Sequence, residues 1–232
     1  MDKVILIDKP KEWTSFDIVA KVRSIVRAHI AAQTKAGEKP KKIKVGHAGT
    51  LDPLATGLLI VLVGSATKRQ DSYMKQDKEY EVELILGQSS TTGDAEGEKT
   101  AISSLQPTKA EVTKAICSFL GEIEQIPPAF SAIKIHGQRA YKLARAGREV
   151  AIQPRIVTIH SITKITYNYP TVTFTTKVSS GTYIRSLVTD IGTLLKTGAY
   201  MSNLRRTKIG TSSIKDAVEI EKVPELFSTS VE

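Results

Sequence analysis

Apolar residues recur along this chain at two spacings, and each spacing marks elements. Residues 4–7 (Val-Ile-Leu-Ile), closed by Lys9-Pro10, read as a short buried strand. After Thr14 and Ser15, either of which can cap a helix, Ile18, Val19, Val22, Ile25 and Val26 return at helical intervals. Residues 80–86 (Tyr-Glu-Val-Glu-Leu-Ile-Leu) begin by alternating apolar with charged side chains, as a half-buried strand does. Thr108 and Glu111 form a capping box that opens a helix to about Leu120. Residues 130–135 read as extended and 138–146 as helical. Residues 156–166 and 171–178, rich in Val, Ile, Thr and Phe, read as a strand pair joined near Asn168 and Pro170. A helix over about 182–196 carries Ile184, Leu187, Val188, Ile191, Leu194 and Leu195 on one face. Strands and helices mix without a regular βαβ repeat, which predicts an α+β fold with a mixed, largely antiparallel central sheet flanked by helices.

Composition narrows the classes. In 232 residues, 33 Lys and Arg against 24 Asp and Glu leave a net charge of +9, so a polyanion is the natural partner, although anionic lipid would satisfy charge equally well. No apolar run reaches the roughly 18 residues of a membrane span. The opening residues are too short and too charged for a secretory signal, so the expected address is cytoplasmic. Cys117 is the only cysteine, which excludes an intramolecular disulfide, and its helical context suggests a buried structural thiol. His29, His47, His136 and His160 are scattered without a partner at ligand spacing, so neither a metal nor another cofactor is expected.

The densest local signal is residues 45–59, Val-Gly-His-Ala-Gly-Thr-Leu-Asp-Pro-Leu-Ala-Thr-Gly-Leu-Leu. Three internal glycines and a proline around His47 and Asp52 describe a shaped loop. Asp52, between Leu51 and Pro53, reads either as a helix N-cap or turn residue or as a catalytic carboxylate, and the residues alone leave both open. The run from Leu59 to Lys68 lacks phosphate-loop spacing, and the alternating acids of residues 93–98 do not fit a calcium loop and read as a polar turn. The Lys-rich stretch 34–44 reads as a solvated or a phosphate-contacting loop.

Five ordered blocks together resemble a known family. Residues 46–57 resemble the catalytic motif of the TruB family, the bacterial tRNA pseudouridine-55 synthases. Lys78-x-Tyr80 followed by Leu86-Gly87 and Thr92-Gly93-Asp94 resembles its second motif. Residues 125–134 and the Gly137, Tyr141, Ala144, Arg145, Gly147 series resemble its RNA-gripping insertion. Residues 181–187 resemble its third motif and residues 204–207 its closing strand.

The resemblance implies a single pseudouridine synthase catalytic domain over 1–232, with the insertion at about 124–154 and no separate C-terminal RNA-binding domain. It implies isomerisation of the T-loop uridine at position 55, by a monomer acting on the T arm of tRNA. Asp52 is then the carboxylate that initiates glycosidic cleavage, Tyr80 stacks on the base, and Arg185 pairs with Asp52. Tyr183 and Leu204 line the uridine pocket, and His47 helps hold the flipped-out loop. Lys68, Lys134 and Arg145 serve the RNA. The chain departs from the family at Glu12, where a glycine is usual, so that turn must take another geometry or bear strain. A tRNA-binding folding chaperone with little or no catalysis is the alternative reading.

Overall fold

Strand β1 (Lys3–Lys9) pairs antiparallel with residues Thr56–Val63 along its whole length. In β3 (Thr56–Val63) every residue from Gly57 onward is buried, because the strand lies inside a sheet covered on both faces, where a continuous apolar run replaces alternation. The computed structural model describes residues 1–131, 133–135, 137–148 and 151–228, without the side chains of residues 134, 135, 139 and 145. Between β1 and β3 lie α1 (Ser15–Gln33) and β2 (Val45–His47), the latter paired antiparallel to β3. A short helix α2 (Gln70–Met74) follows a 3-10 turn over Gly64–Arg69, where a phosphate-binding loop would have needed a longer helix.

Strand β4 (Lys78–Leu86) carries the chain onward to the hairpin of β5 (Gln88–Ser90) and β6 (Lys99–Ala101). Helix α3 (Lys109–Cys117) and β7 (Gly121–Gln125) come next. Then follow β8 (Lys134–Ile135), β9 (Gln138–Arg139), α4 (Ala140–Arg145), β10 (Arg155–Asn168), β11 (Thr171–Val178) and α5 (Ile184–Leu194). Strand β12 (Ala199–Ile209) leads back to β13 (Ser212–Ser213), β14 (Val218–Glu219) and a final 3-10 segment, Ile220–Phe227.

The chain forms two compact units, one of Met1–Lys78 with the segment from Arg205 onward, the other of Glu79–Leu204. In the first, the strand order is β14, β1, β3 and the end of β12, with β2 on β3 and β13 on β12. Pairing is antiparallel except for β1 with β14 and β3 with β12. Ala48, Leu58, Ile60, Leu62, Ala66 and Ile209 form its buried cluster, and Val4 and Leu6 pack against it. Helix α1 buries Ile18, Val19, Val22 and Val26 and starts in a full capping box between Thr14 and Asp17. In the second unit the order is the start of β12, then β4, β11, β10 and β7, with α3 against β10. The fold is α+β, as its patterning predicts.

Three local expectations change. Residues 130–135 are extended only at Lys134–Ile135, because the carbonyls of Ser131 and Ile133 accept from Tyr141 (3.0 Å) and Ala140 (2.7 Å) and so open α4 rather than a sheet. Gln138 and Arg139 belong to a tight hairpin with β8, and the helix starts at Ala140. Cys117 ends α3 half-buried rather than enclosed. Among the described residues, no helix is long and apolar enough to cross a membrane.

Glu12 resolves the question its sequence position raises. It takes the left-handed conformation, φ 71°, that a glycine would occupy without cost, and its N–H donates to Pro53 O at 2.8 Å. Replacing Glu12 by glycine removes the steric penalty and adds backbone entropy to the unfolded chain, so the net gain is about 0.5–1 kcal/mol. Thermal unfolding of Glu12→Gly is expected to shift upward by about 1–4 °C.

Candidate active site

The loop bearing Asp52 springs from one rung of the first unit's sheet. Gly57 pairs with Lys9 of β1 on one side and with Arg206 of β12 on the other. Glycine is required there: φ is +99°, and an added Cβ would lie 2.3 Å from Arg206 O, far inside van der Waals contact. Both flanking residues are cations with fully buried side chains, Lys9 at 0% and Arg206 at 1% exposure. Buried charge is costly unless polar partners surround it. Lys9 Nζ donates to the carbonyls of Pro10 (2.8 Å), Trp13 (2.6 Å) and Pro53 (3.3 Å). Arg206 donates through Nε to Leu58 O (2.8 Å), Nη1 to Thr50 O (3.3 Å) and Nη2 to Gly49 O (3.1 Å).

The two cations thus satisfy carbonyls on both sides of Asp52, which the sheet cannot reach because the chain is turning. Ser15, in the first turn of α1, completes the hold: its Oγ donates to Leu51 O (3.0 Å) and accepts from Leu51 N (2.8 Å). Asp52 O accepts from Ala55 N at 3.1 Å, so the residue sits in a turn and caps no helix. It is half-buried, between buried Leu51 and Leu54. His47 is half-buried in β2 opposite Val61, and Lys68 is exposed on the 3-10 turn.

In the second unit, Tyr80 is buried on the inward row of β4 and Leu204 is buried on β12. Tyr183 and Arg185 come together where α5 begins. Arg185 is buried rather than displayed on the helix surface, and residues of two remote segments hold it. Its Nε lies 3.6 Å from Asp94 Oδ2, Nη1 donates to Thr92 O (3.1 Å) and Nη2 to Phe130 O (2.8 Å). Asp94, 3% exposed, also accepts from Thr92 Oγ1 (2.5 Å) and Glu96 N (3.0 Å). Its strand-like bridge to Met201 fixes the turn. The side chains of Lys134 and Arg145 lie outside the described residues.

Sequence reasoning missed Asp94, Lys9 and Arg206. Asp94 hid among alternating acids that read as a solvated turn, although it stands in the block resembling the family's second motif. Arg206 stands in the block resembling the family's closing strand and Lys9 closes the first strand, but nothing local marks either side chain as buried.

Two tests follow from these buried charges. Asp94→Ala removes a buried carboxylate that lies beside Arg185 and accepts from Thr92 and Glu96, and is expected to lose about 3–5 kcal/mol in urea unfolding. Lys78, at the start of β4, donates to the carbonyls of Met74 and Gln76, and burial, helped by the charge of Arg206, lowers its pKa to about 8. The folded chain releases this proton near pH 8 and the unfolded chain near 10.5. Between those values the unfolded state binds more protons, so stability rises with pH, and below pH 8 the term is constant. Wild type is therefore expected to gain stability relative to Lys78→Met in urea titrations taken from pH 7.5 to 10.

Comparison with known proteins identifies the family. The model for the TruB family pseudouridylate synthase N-terminal domain matches residues 35–184, and that for the tRNA pseudouridylate synthase B C-terminal domain matches residues 185–230. A tRNA pseudouridine synthase B of Phocaeicola vulgatus is 42% identical over 224 residues, covering 96% of this chain and 92% of its own. One from Clostridium kluyveri is 42% identical over 221 residues, covering 95% and 72%. The crystal structure of a Cbf5-Nop10-Gar1 complex contains a chain similar in fold, with TM-score 0.69 at 27% identity. That match covers 96% of this chain and 53% of the neighbour, so the present chain spans about half of that neighbour's length. With a family model over most of its length and relatives above 40% identity, the chain belongs to the TruB family of pseudouridylate synthases.

Proposed function

We propose that this protein is a tRNA pseudouridine synthase that isomerises the T-loop uridine at position 55, with Asp52 as its catalytic carboxylate. The observation that carries the reading is the clamp on the Asp52 loop. Two buried cations and a buried serine hydroxyl hold the backbone on either side of Asp52, which is half-buried. Pre-organisation of this kind serves chemistry rather than simple binding. The tRNA pseudouridine synthase B relatives, similar over nearly the whole chain, support the substrate class.

In the reaction the N1–C1′ bond breaks, the uracil turns, and a C5–C1′ bond forms. The C5 hydrogen leaves as a proton and N1 gains one, so the product is an isomer and no electrons are exchanged. Asp52 starts the cleavage. Tyr80 offers an aromatic face to a base taken out of its stack, Tyr183 and Leu204 line its pocket, and Arg185 supplies the cation that favours an ionised carboxylate. His47 supports the flipped-out loop, and Lys68, Lys134 and Arg145 meet RNA phosphates. The enzyme acts as a monomer on the T arm of tRNA in the cytoplasm, and the segment 124–154 grips the RNA.

Tritium release from a T-arm stem-loop labelled at C5 of the target uridine tests the proposal. Wild type is expected to release tritium, and Asp52→Asn to lose at least about a thousandfold in rate with RNA affinity kept. Tight binding of folded tRNA without release from either protein would favour a folding chaperone. Equal release from both would reduce Asp52 to a turn residue.

A further inference from the structure

Tyr183 is held more tightly than its place in a turn requires. Its main chain is gripped on both sides by one side chain: Gln125 Oε1 accepts from Tyr183 N (2.8 Å), and Gln125 Nε2 donates to Tyr183 O (3.1 Å). Gln125 is 0% exposed. A primary amide places a donor beside an acceptor, so it can pair with a peptide as a neighbouring strand would. Two bonds flanking one Cα fix both peptide planes, and with them the direction in which the tyrosine side chain leaves the backbone.

The ring itself is fixed by a second residue. The Arg155 guanidinium carbon lies 4.8 Å from the Tyr183 ring centroid, and Arg155 Nη2 donates to Gly181 O. Gly181, at φ +87°, gives the turn its shape, a backbone conformation that side chains disfavour. Arg155 Nε is buried without a hydrogen-bond partner among the described residues. The guanidinium therefore lies over the ring at the cost of leaving one donor unsatisfied. Arg155 and Gln125 face one another directly across the β7–β10 ladder, so a single rung supplies both halves of the grip.

We infer that Arg155 and Gln125 are positioning residues that fix the Tyr183 ring where it meets the target base, an inference that rests on the reading of Tyr183 as part of the uridine pocket. In a protein of net charge +9 the bland role for a half-exposed arginine is a phosphate contact. The two roles differ in what they change. A phosphate ligand acts on RNA affinity and is largely replaced by lysine, whereas a stacked, planar guanidinium is not. A positioning residue acts on turnover, since displacement by about 1 Å costs up to about a hundredfold.

The test is steady-state tritium release from the C5-labelled stem-loop by wild type, Arg155→Lys, Arg155→Ala, Tyr183→Leu and the Arg155→Ala/Tyr183→Leu double variant. Gln125→Met is measured alongside, with Gln125→Glu, which keeps the acceptor for Tyr183 N, as the fallback if the methionine variant does not fold. Both Arg155 variants are expected to lose about tenfold in kcat with KM within about twofold of wild type. In the Tyr183→Leu background, Arg155→Ala is expected to cost less than about twofold more, because the ring it positions is gone. The Gln125 variant is expected to follow the same kcat pattern. A raised KM at unchanged kcat that Arg155→Lys restores would overturn the inference in favour of a phosphate ligand. An equal loss in both backgrounds would also overturn it, since Arg155 would then act elsewhere. Normal kcat in Tyr183→Leu, with release still abolished by Asp52→Asn, would sink this inference and leave the synthase reading standing. No release from wild type would remove both.

Discussion

Lys9 and Arg206 stand on either side of Gly57, and the geometry of the first unit follows from that rung. Each cation is removed from water and each is satisfied by carbonyl oxygens, so neither can leave without stranding a charge and several acceptors together. Arg206 holds carbonyls of the segments that enter and leave the Asp52 loop, and Lys9 joins Pro53 of that loop to Pro10 and Trp13 of the turn before α1. Sheet, helix α1 and loop are therefore tied at one place: β1 and β12 through the cations, α1 through Ser15, and the turn before α1 through Glu12. A loop with three glycines would otherwise be among the freest parts of the chain. Held in this way, the backbone that carries Asp52 is fixed on both sides.

The second unit solves a related problem with a different device. Arg185 begins a helix and is anchored by Asp94, Thr92 and Phe130, which come from two segments remote in sequence. Ser186 adds a bond to Ile126 O at 2.8 Å. The start of α5 thus gathers the segment after β7 and the turn at residues 92–96. Here the cation has a carboxylate partner, and at the Gly57 rung both cations donate to backbone carbonyls. Both arrangements keep a charged group rigid in a poorly solvated place, which is what an enzyme needs of groups that face a developing charge.

Much of the fold was legible because its elements obey simple periods: β1, α1, β4, α3, the β10–β11 pair and α5 all lie where alternation or helical spacing puts them. The thresholds of the insertion were less legible. Residues 130–135 have strand-like composition, but their carbonyls are taken by the first turn of α4. The candidate site divides in the same manner. Asp52, Tyr80, Tyr183 and Arg185 could be singled out because ordered blocks resembled a family, and the residues alone left Asp52 as a turn or an acid. Lys9, Arg206, Asp94, Gln125 and Arg155 could not, because their roles arise from contacts across long sequence separations: Arg206 with Gly49, Gln125 with Tyr183, Arg155 with Gly181. Local patterning carries no trace of such partners. Glu12 shows the converse, a departure visible in sequence whose consequence, a left-handed glutamate, needed only the backbone angle to confirm.

The central claim is that the Asp52 loop is as firmly held as the sheet beneath it. Native-state hydrogen exchange at the amides of Glu12, Leu51 and Ala55, followed at rising urea below the unfolding transition, tests that claim most directly. Each amide donates to an acceptor in or beside the loop. If the clamp holds, the three exchange only through global unfolding, with opening free energies that fall with urea along the same line as amides of β3. Exchange at low opening free energy, independent of urea, would mean that the loop opens by itself, and the account of a pre-organised carboxylate would be contradicted.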